Sequence, residues 1–475
     1  MQVRDEVATS AAAAFERHAG SPFLIDAIDG RAFSYREVDE LAGGLAAALV
    51  ERGAGPGSRI GLVLPNSAEL AILYFACLRL GVTAVPLGPA TPERERARAL
   101  AHTRATAVLT EVEGLLDAAR GRSFAAPAPD PDALLTISFT SGTTATPKGV
   151  AHRARVLLGA AAAFAEELEL GAGDRFLHTL PMTYMAGFLN TLLVPFVAGA
   201  SVVLAPAFDN ATLLRYWKPV VRHGVTRLWV TPTIVAALLR LDRDPAGPEY
   251  ARQRIQSVSS ATAPLPPRHA AAFEERYGTP VYDSYGLSEL TFVAARSPRA
   301  GAADGSVGRL LRGVEAEERD GELFVRSPFA MAGYLGEEGE PDPATSPEWF
   351  PTGDLGHVDA ERRLFVTGRK KDVIIRGGLN VSPRAVEDVL AAHEAVAEAA
   401  VVGVPHELLG EDVVGAVVLA QGRSLDAERE TLLALCRDRL PSGSVPGQLV
   451  ALDAFPRNET GKVRKDALRE LVQAR

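Results

Sequence analysis

The chain has 475 residues, 47% apolar and 23% charged, enough for a large core and more than one domain and ordinary for a globular protein. Its net charge of −9 gives no basic footprint and argues against nucleic acid as a partner. The two cysteines, Cys77 and Cys436, lie far apart without metal-ligand spacing, and Met1-Gln-Val-Arg-Asp-Glu6 shows no basic region leading into an apolar one, so a reducing, cytoplasmic setting is expected.

Residues 1–130 read as alternating helices and strands. Phe33-Ser-Tyr-Arg-Glu37 opens a helix running to about Glu51, and Arg59 to Leu64 is a strand. Ser67 caps a helix that ends before Gly81, Val82 to Leu87 is a second strand, and Pro92 takes the first position of another helix. This alternation predicts a mostly parallel, helix-covered sheet.

The stretch Thr136-Ile-Ser-Phe-Thr-Ser-Gly-Thr-Thr-Ala-Thr-Pro-Lys-Gly-Val150 breaks the pattern. Its apolar start, Leu134 to Phe139, reads as a buried strand, followed by hydroxyls and glycines that end at Lys148-Gly149. Such a loop can turn several N–H groups and hydroxyls onto one anion while its lysine adds a positive charge, which suits a polyphosphate. It is not the G-x-x-x-x-G-K-[ST] loop, because Pro147 precedes Lys148 and Gly149 follows it.

The string resembles the phosphate loop of the adenylate-forming superfamily, which includes acyl-CoA synthetases and aryl-acid ligases; Ala145 stands where that family has glycine. The resemblance makes Thr140, Ser141, Gly142 and Thr144, with Lys148, nucleotide-binding, and gives Thr143 a catalytic role. It implies an α/β fold: a large N-terminal domain of helix-covered sheets with a β subdomain over 1–368, and a small mobile C-terminal domain over 369–475. The later motifs follow in the family's order.

A helix from about Arg155 to Leu168 precedes Leu180-Pro-Met-Thr-Tyr-Met-Ala-Gly187, which is similar to the family's Leu-Pro-x-x-His-x-x-Gly with Tyr184 at the histidine position. Tyr184 is expected to gate an acid pocket that Met185, Phe188 and Ser284 help to line. No acidic residue occupies Met185, Ala186 or the residues just after, where amino-acid-activating relatives carry an aspartate, so a carboxylic acid without an α-amine is implied. The uncharged run from Pro181 to Phe208 contains Asn190, Pro195, Gly199 and Pro206 and reads as helix, turn and strand rather than a membrane span.

Strands are expected at Leu228 to Val230 and at Ile255 to Val258, the second leading into Ser259-Ser-Ala-Thr-Ala-Pro-Leu265. In the family this turn lies against adenine, which assigns Ala261, Thr262 and Ala263 to the nucleotide. Tyr285-Gly-Leu-Ser-Glu289 resembles the family's Tyr-Gly-x-Thr-Glu: Tyr285 and Gly286 for adenine, Ser288 for phosphate, and Glu289 for catalysis as the Mg²⁺ carboxylate. Glu322 to Pro328 and Gly333-Tyr334 read as parts of the β subdomain. Asp354 matches the ribose-binding aspartate, Arg369 the ribose-binding arginine and Lys371 the hinge. Gly377-Gly378 matches the segment that lines the thiol tunnel, and its Gly-Gly-x-Asn form resembles CoA ligases.

In the last part, Ser382-Pro383 opens a helix to about Ala392, Val396 to Val402 and Val413 to Leu419 are strands, and Leu425 to Arg437 is a helix. Pro456-Arg-Asn-Glu-Thr-Gly-Lys-Val-Arg464 matches the C-terminal signature, with Lys462 as its catalytic lysine. Lysine occurs only at Lys148, Lys218, Lys370, Lys371, Lys462 and Lys465, in a chain that otherwise uses arginine, so a lysine kept at a motif position suggests a need for a compact charge.

The resemblance implies ATP, Mg²⁺ and CoA as co-substrates or cofactors, a small carboxylic acid as substrate, and CoA or a carrier protein as the thiol. Ala145, Ala261, Thr262 and Ser288 depart from the family pattern around the nucleotide. They leave open an enzyme that mainly performs the thiol-transfer half. A stand-alone loader of a carrier protein and a non-catalytic adenylate sensor also remain.

Overall fold

The computed structural model describes residues 11–124, 130–140, 148–298, 304–457 and 462–474. The glycine- and threonine-rich loop at 141–147, with Ser141, Gly142, Thr143, Thr144 and Ala145, lies outside the described residues, as do 458–461 of the C-terminal signature.

Two large sheets share one apolar core that runs from Ala11 to Leu364. One has the strand order 309–310, 291–295, 281–287, 257–260, 227–230, 175–178, 201–204, 22–26, 32–34; the other runs 341–342, 333–335, 148–153, 134–140, 83–86, 59–62, 107–109. The alternating N-terminal stretch therefore does not build one sheet. Its first strands, Pro22–Asp26 and Ala32–Ser34, edge the first sheet, and Arg59–Leu62, Thr83–Pro86 and Ala107–Leu109 belong to the second.

The helix caps are where the sequence puts them. Ser34 accepts from the Glu37 backbone while the Glu37 carboxylate accepts from Ser34 N–H, a reciprocal box that starts the helix Tyr35–Glu51. Ser67 caps Ala68–Leu80, and Gly81 ends it in the left-handed region at φ 66°. Pro92 is the residue before the helix Glu93–His102 rather than its first.

Three expectations shift. Lys148, expected to end a loop, does not. It opens the strand Lys148–Arg153, antiparallel to Leu134–Thr140 with Thr140 opposite Lys148. The strand expected at Ile255 to Val258 is Ser257–Ser260, because the helix Ala246–Arg254 is capped by Ile255. Gly333-Tyr334 leaves the β subdomain and pairs with Lys148–Arg153 at the edge of the second large sheet.

The β subdomain is a four-stranded antiparallel sheet, Glu315–Arg319, Glu322–Arg326, Phe350–Val358 and Leu364–Arg369. Beyond it, a separate sheet of Ile374–Arg376, Leu379–Val381, Val396–His406, Gly410–Leu419 and Gln448–Ala451 carries helices on both sides. The apolar clusters on its faces use only residues 374–472, with none from the large core. Among the described residues no helix is long and apolar enough to cross a membrane.

Candidate active site

The site assembles outside the carboxyl ends of parallel strands, where open α/β sheets place ligands. Arg227–Val230, Ser257–Ser260 and Val281–Leu287 run parallel, and the turn Ala261-Thr262-Ala263 follows the second of them. Thr262 sits there with φ 77°, a left-handed backbone that a β-branched residue adopts only under strain. Ser284 ties this strand to its neighbour by donating from Oγ to Ser260 O at 3.2 Å.

Val281–Leu287 outruns its parallel partner and folds back through Ser288-Glu289-Leu290 onto the antiparallel strand Thr291–Ala295, with an irregular register between Tyr285 and Gly286. Gly286 is required at that bend: a Cβ would lie 2.0 Å from Thr291 O.

Tyr285, Asp354 and Arg369 meet in one cluster. The Tyr285 hydroxyl donates to Asp354 Oδ2 at 2.6 Å, and Arg369 Nε donates to Oδ1 at 2.9 Å. Asp354 and Arg369 are direct cross-strand partners, so the sheet register fixes their pairing. Asp354 is almost fully buried, and the charged Arg369 and the tyrosine hydroxyl compensate the cost of burying its carboxylate. Burial, then the Asp354 charge, raises the Tyr285 phenol well above its ordinary value, so it stays a donor.

Lys462 arrives from the C-terminal part of the chain. Its ammonium is pushed down to about 8, first by burial and then by Arg369 and Lys371, while Asp354 and Asp372 oppose the shift. Lys371 is also lowered, first by burial. A cleft of about 370 Å³ opens beside these groups, lined by Thr352, Gly353, Arg369, Lys370 and Lys371. Positive charge gathered around the buried Asp354 carboxylate suits a polyanion.

A second cluster holds Lys148 and Glu289. The Tyr334 hydroxyl donates to Glu289 Oε1 at 2.6 Å, and Lys148 Nζ lies 4.7 Å from the centroid of the same tyrosine ring. Among the described residues no three His, Cys, Asp or Glu side chains converge. Glu289 alone fits a cation that takes most of its ligands from nucleotide phosphates and water, as Mg²⁺ does.

The acid-pocket segment turns sharply after Leu180. Tyr184 N–H donates to Pro181 O, and a wide π-type helix follows at Ala186–Leu193, a form often found at functional sites. Gly187 allows this turn, since a Cβ would come within 2.0 Å of Pro181 O. Tyr184 is half-buried; Met185 is buried, and Phe188 is buried with its ring stacked 4.1 Å from that of Tyr74. Gly377 and Gly378 form the turn between Ile374–Arg376 and Leu379–Val381, both at positive φ, with Gly377 N–H donating to Leu409 O inside the C-terminal sheet.

Sequence reasoning missed three contributors. Tyr334 belongs to the Glu289 cluster. Glu322, itself buried, accepts from Gly353 N–H at 3.0 Å and pairs with Lys370 Nζ at 2.7 Å, holding the Thr-Gly-Asp turn. Arg268 bridges to the C-terminal part by donating to His393 O at 3.1 Å and to Ala397 O. None of the three carries a signal without the fold.

Two family models match the chain: AMP-binding enzyme over residues 11–335, and AMP-binding enzyme C-terminal domain over residues 385–462. The sulfoacetate–CoA ligase of Cupriavidus necator is 31% identical, with 98% of this chain and 97% of the relative covered. The indoleacetate–CoA ligase of Aromatoleum aromaticum is 32% identical, covering 96% of this chain and 97% of the relative. Among solved structures, ATP-bound MatB from Rhodopseudomonas palustris matches with a TM-score of 0.85 at 28% identity, covering 98% of this chain and 99% of that one. The chain belongs to the adenylate-forming acyl-CoA synthetase superfamily of AMP-binding enzymes.

Proposed function

We propose that the chain activates a carboxylic acid lacking an α-amine with ATP, as an acyl adenylate, and passes the acyl group to CoA. The observation that carries this reading is a buried Lys462 within electrostatic reach of Arg369, Lys371 and Asp354, beside a cleft that Arg369 and Lys371 line.

In the first half, a carboxylate oxygen of the acid bonds to the α-phosphorus and the bond to pyrophosphate breaks. Both reactants are anions, so their approach needs positive charge at the point of attack. Lys462 supplies it, next to an Arg369 already oriented by Asp354. Asp354 and Arg369 receive the ribose, and Tyr285 and the Ala261–Ala263 turn receive adenine. Lys148, held over the Tyr334 ring, is assigned to the pyrophosphate. Mg²⁺ held by Glu289 neutralises phosphate charge when bound.

In the second half, the CoA sulfur bonds to the acyl carbon, AMP leaves, and the thiol proton is lost. We place the domain boundary at 368/369 with the hinge at Lys371; rotation there withdraws Lys462 and brings Gly377-Gly378 to the acyl carbon. The separate apolar cores of the C-terminal sheet support a unit able to move as a body. The buried, apolar Met182, Met185 and Phe188 support an aryl or alkyl acid.

The test is acid-dependent pyrophosphate release with ATP and Mg²⁺ across aryl, short-, medium- and long-chain acids and amino acids. A clear response to a non-amino acid, lowered about 10²–10³-fold in Lys462→Ala, is expected. Thr262's strained backbone in the adenine turn favours one second reading, an enzyme confined to thiol transfer. It predicts silence across the panel together with thioester formation from supplied acyl adenylates.

A further inference from the structure

Lys148 and Glu289 carry opposite charges and stand on either side of one tyrosine, yet they form no ion pair with each other among the described residues. Tyr334 occupies the space between them. Its strand, Gly333–Leu335, pairs with Lys148–Arg153, Tyr334 opposite Val150, which places the tyrosine beside the strand that Lys148 opens. The hydroxyl reaches across to Glu289 Oε1 at 2.6 Å, and the ring face carries the Lys148 ammonium at 4.7 Å.

The backbone beneath Tyr334 is fixed. Gly333 holds φ 141°, and a Cβ there would lie 2.2 Å from Asp342 O. Tyr334 N–H donates to Thr345 Oγ1 at 2.7 Å. The Glu289 segment is held in turn, since Met331 N–H donates to Glu289 O at 2.7 Å.

We propose that Tyr334 is a positioning residue for the nucleotide's phosphates: its ring holds the Lys148 ammonium towards them, and its hydroxyl fixes Glu289 for the divalent cation. It keeps the two charges from neutralising one another before ATP arrives. The inference deepens the reading of Lys148 and Glu289 given above and rests on it.

The experiment separates hydroxyl from ring with Tyr334→Phe and Tyr334→Leu, and uses Glu289→Gln for comparison. Three quantities are read: half-saturating Mg²⁺ for acid-dependent pyrophosphate release, KM for ATP against kcat, and ATP affinity by calorimetry with and without Mg²⁺. Tyr334→Phe should raise half-saturating Mg²⁺ by about three- to tenfold while Mg²⁺-free ATP affinity stays within about twofold. Tyr334→Leu should do the same and also weaken Mg²⁺-free ATP binding by about three- to tenfold, because the cation–π contact is gone. Adding Tyr334→Phe to Glu289→Gln should shift the Mg²⁺ requirement no further than Glu289→Gln alone.

A Tyr334→Phe enzyme with an unchanged Mg²⁺ requirement, or additive effects in the double variant, would overturn the hydroxyl's role. Equal Mg²⁺-free affinities in the Phe and Leu variants would overturn the ring's. If the unaltered enzyme releases no pyrophosphate with any acid, the proposed function fails, while calorimetry still decides the role of Tyr334.

Discussion

In the proposed adenylation step Lys462 must be protonated to neutralise charge, and burial, Arg369 and Lys371 hold it at about 8. Below that value the ammonium is present; as pH rises through it the charge is lost. The profile of kcat/KM, which reports the free enzyme, should therefore fall as pH rises through about 8. Bound ATP and acid surround the amine with anions and draw its pKa upward, so kcat should break at higher pH than kcat/KM. Lys462→Ala should lower the rate of pyrophosphate release about 10²–10³-fold and flatten the alkaline limb; an unchanged limb in that variant would assign the limb to another group. Thr262 poses a different residue-scale question. At φ 77° a threonine stores roughly 1–2 kcal/mol, and glycine would release most of it at some cost in chain entropy. Thr262→Gly should therefore shift the urea midpoint towards higher stability, by about 1 kcal/mol, and lower KM for ATP. A loss of stability would mean that the threonine side chain makes contacts worth more than the strain.

At the scale of elements, what could be read from the sequence was what a short segment decides alone. Ser34 with Glu37, and Ser67 with Gly81, mark their helices because capping needs only neighbours in the chain. Tyr285-Gly286 and Asp354 stand out as motifs, and the close approach at Gly286 gives one of them a steric cause. Pairing is not local. Nothing in Gly333-Tyr334 says that it will lie beside Lys148–Arg153, more than 180 residues away in the chain, so Tyr334 was invisible as a site residue. Glu322 was hidden for the same reason: its partners, Gly353 and Lys370, come from other strands. Its two bonds differ in weight. Lys370 is 63% exposed, so Lys370→Ala should leave the urea midpoint close to that of the unaltered protein. Glu322→Ala leaves the Gly353 N–H without its acceptor and should cost about 1–3 kcal/mol, with a raised KM for ATP as the Asp354 turn loosens. Equal effects of the two variants on urea unfolding would show that the ion pair, not the backbone bond, holds the turn.

For the molecule as a whole, the contacts between its two parts bear on the proposed alternation between half-reactions. Arg268, on the helix Pro267–Tyr277, donates to the carbonyls of His393 and Ala397, and Arg457 reaches back to Thr233 Oγ1 at 3.4 Å while pairing with Glu398. These bonds join surfaces outside the Tyr285–Asp354–Arg369 cluster, yet they hold the arrangement in which Lys462 faces it. The proposed rotation that brings Gly377-Gly378 to the acyl carbon would have to break them, and on that reading their strength biases the enzyme towards adenylation without touching substrate. Arg268→Ala should then slow acid-dependent pyrophosphate release by about tenfold, the loss expected when bonds from a charged donor are removed from a docked state. Thioester formation from a supplied acyl adenylate and CoA should be unchanged or faster, because the docked arrangement no longer competes. A general defect in folding would depress both halves together. Equal loss in both would show that Arg268 supports the N-terminal fold rather than the docking of Lys462; loss in the first half alone would make the contact a setting on the balance between the two reactions.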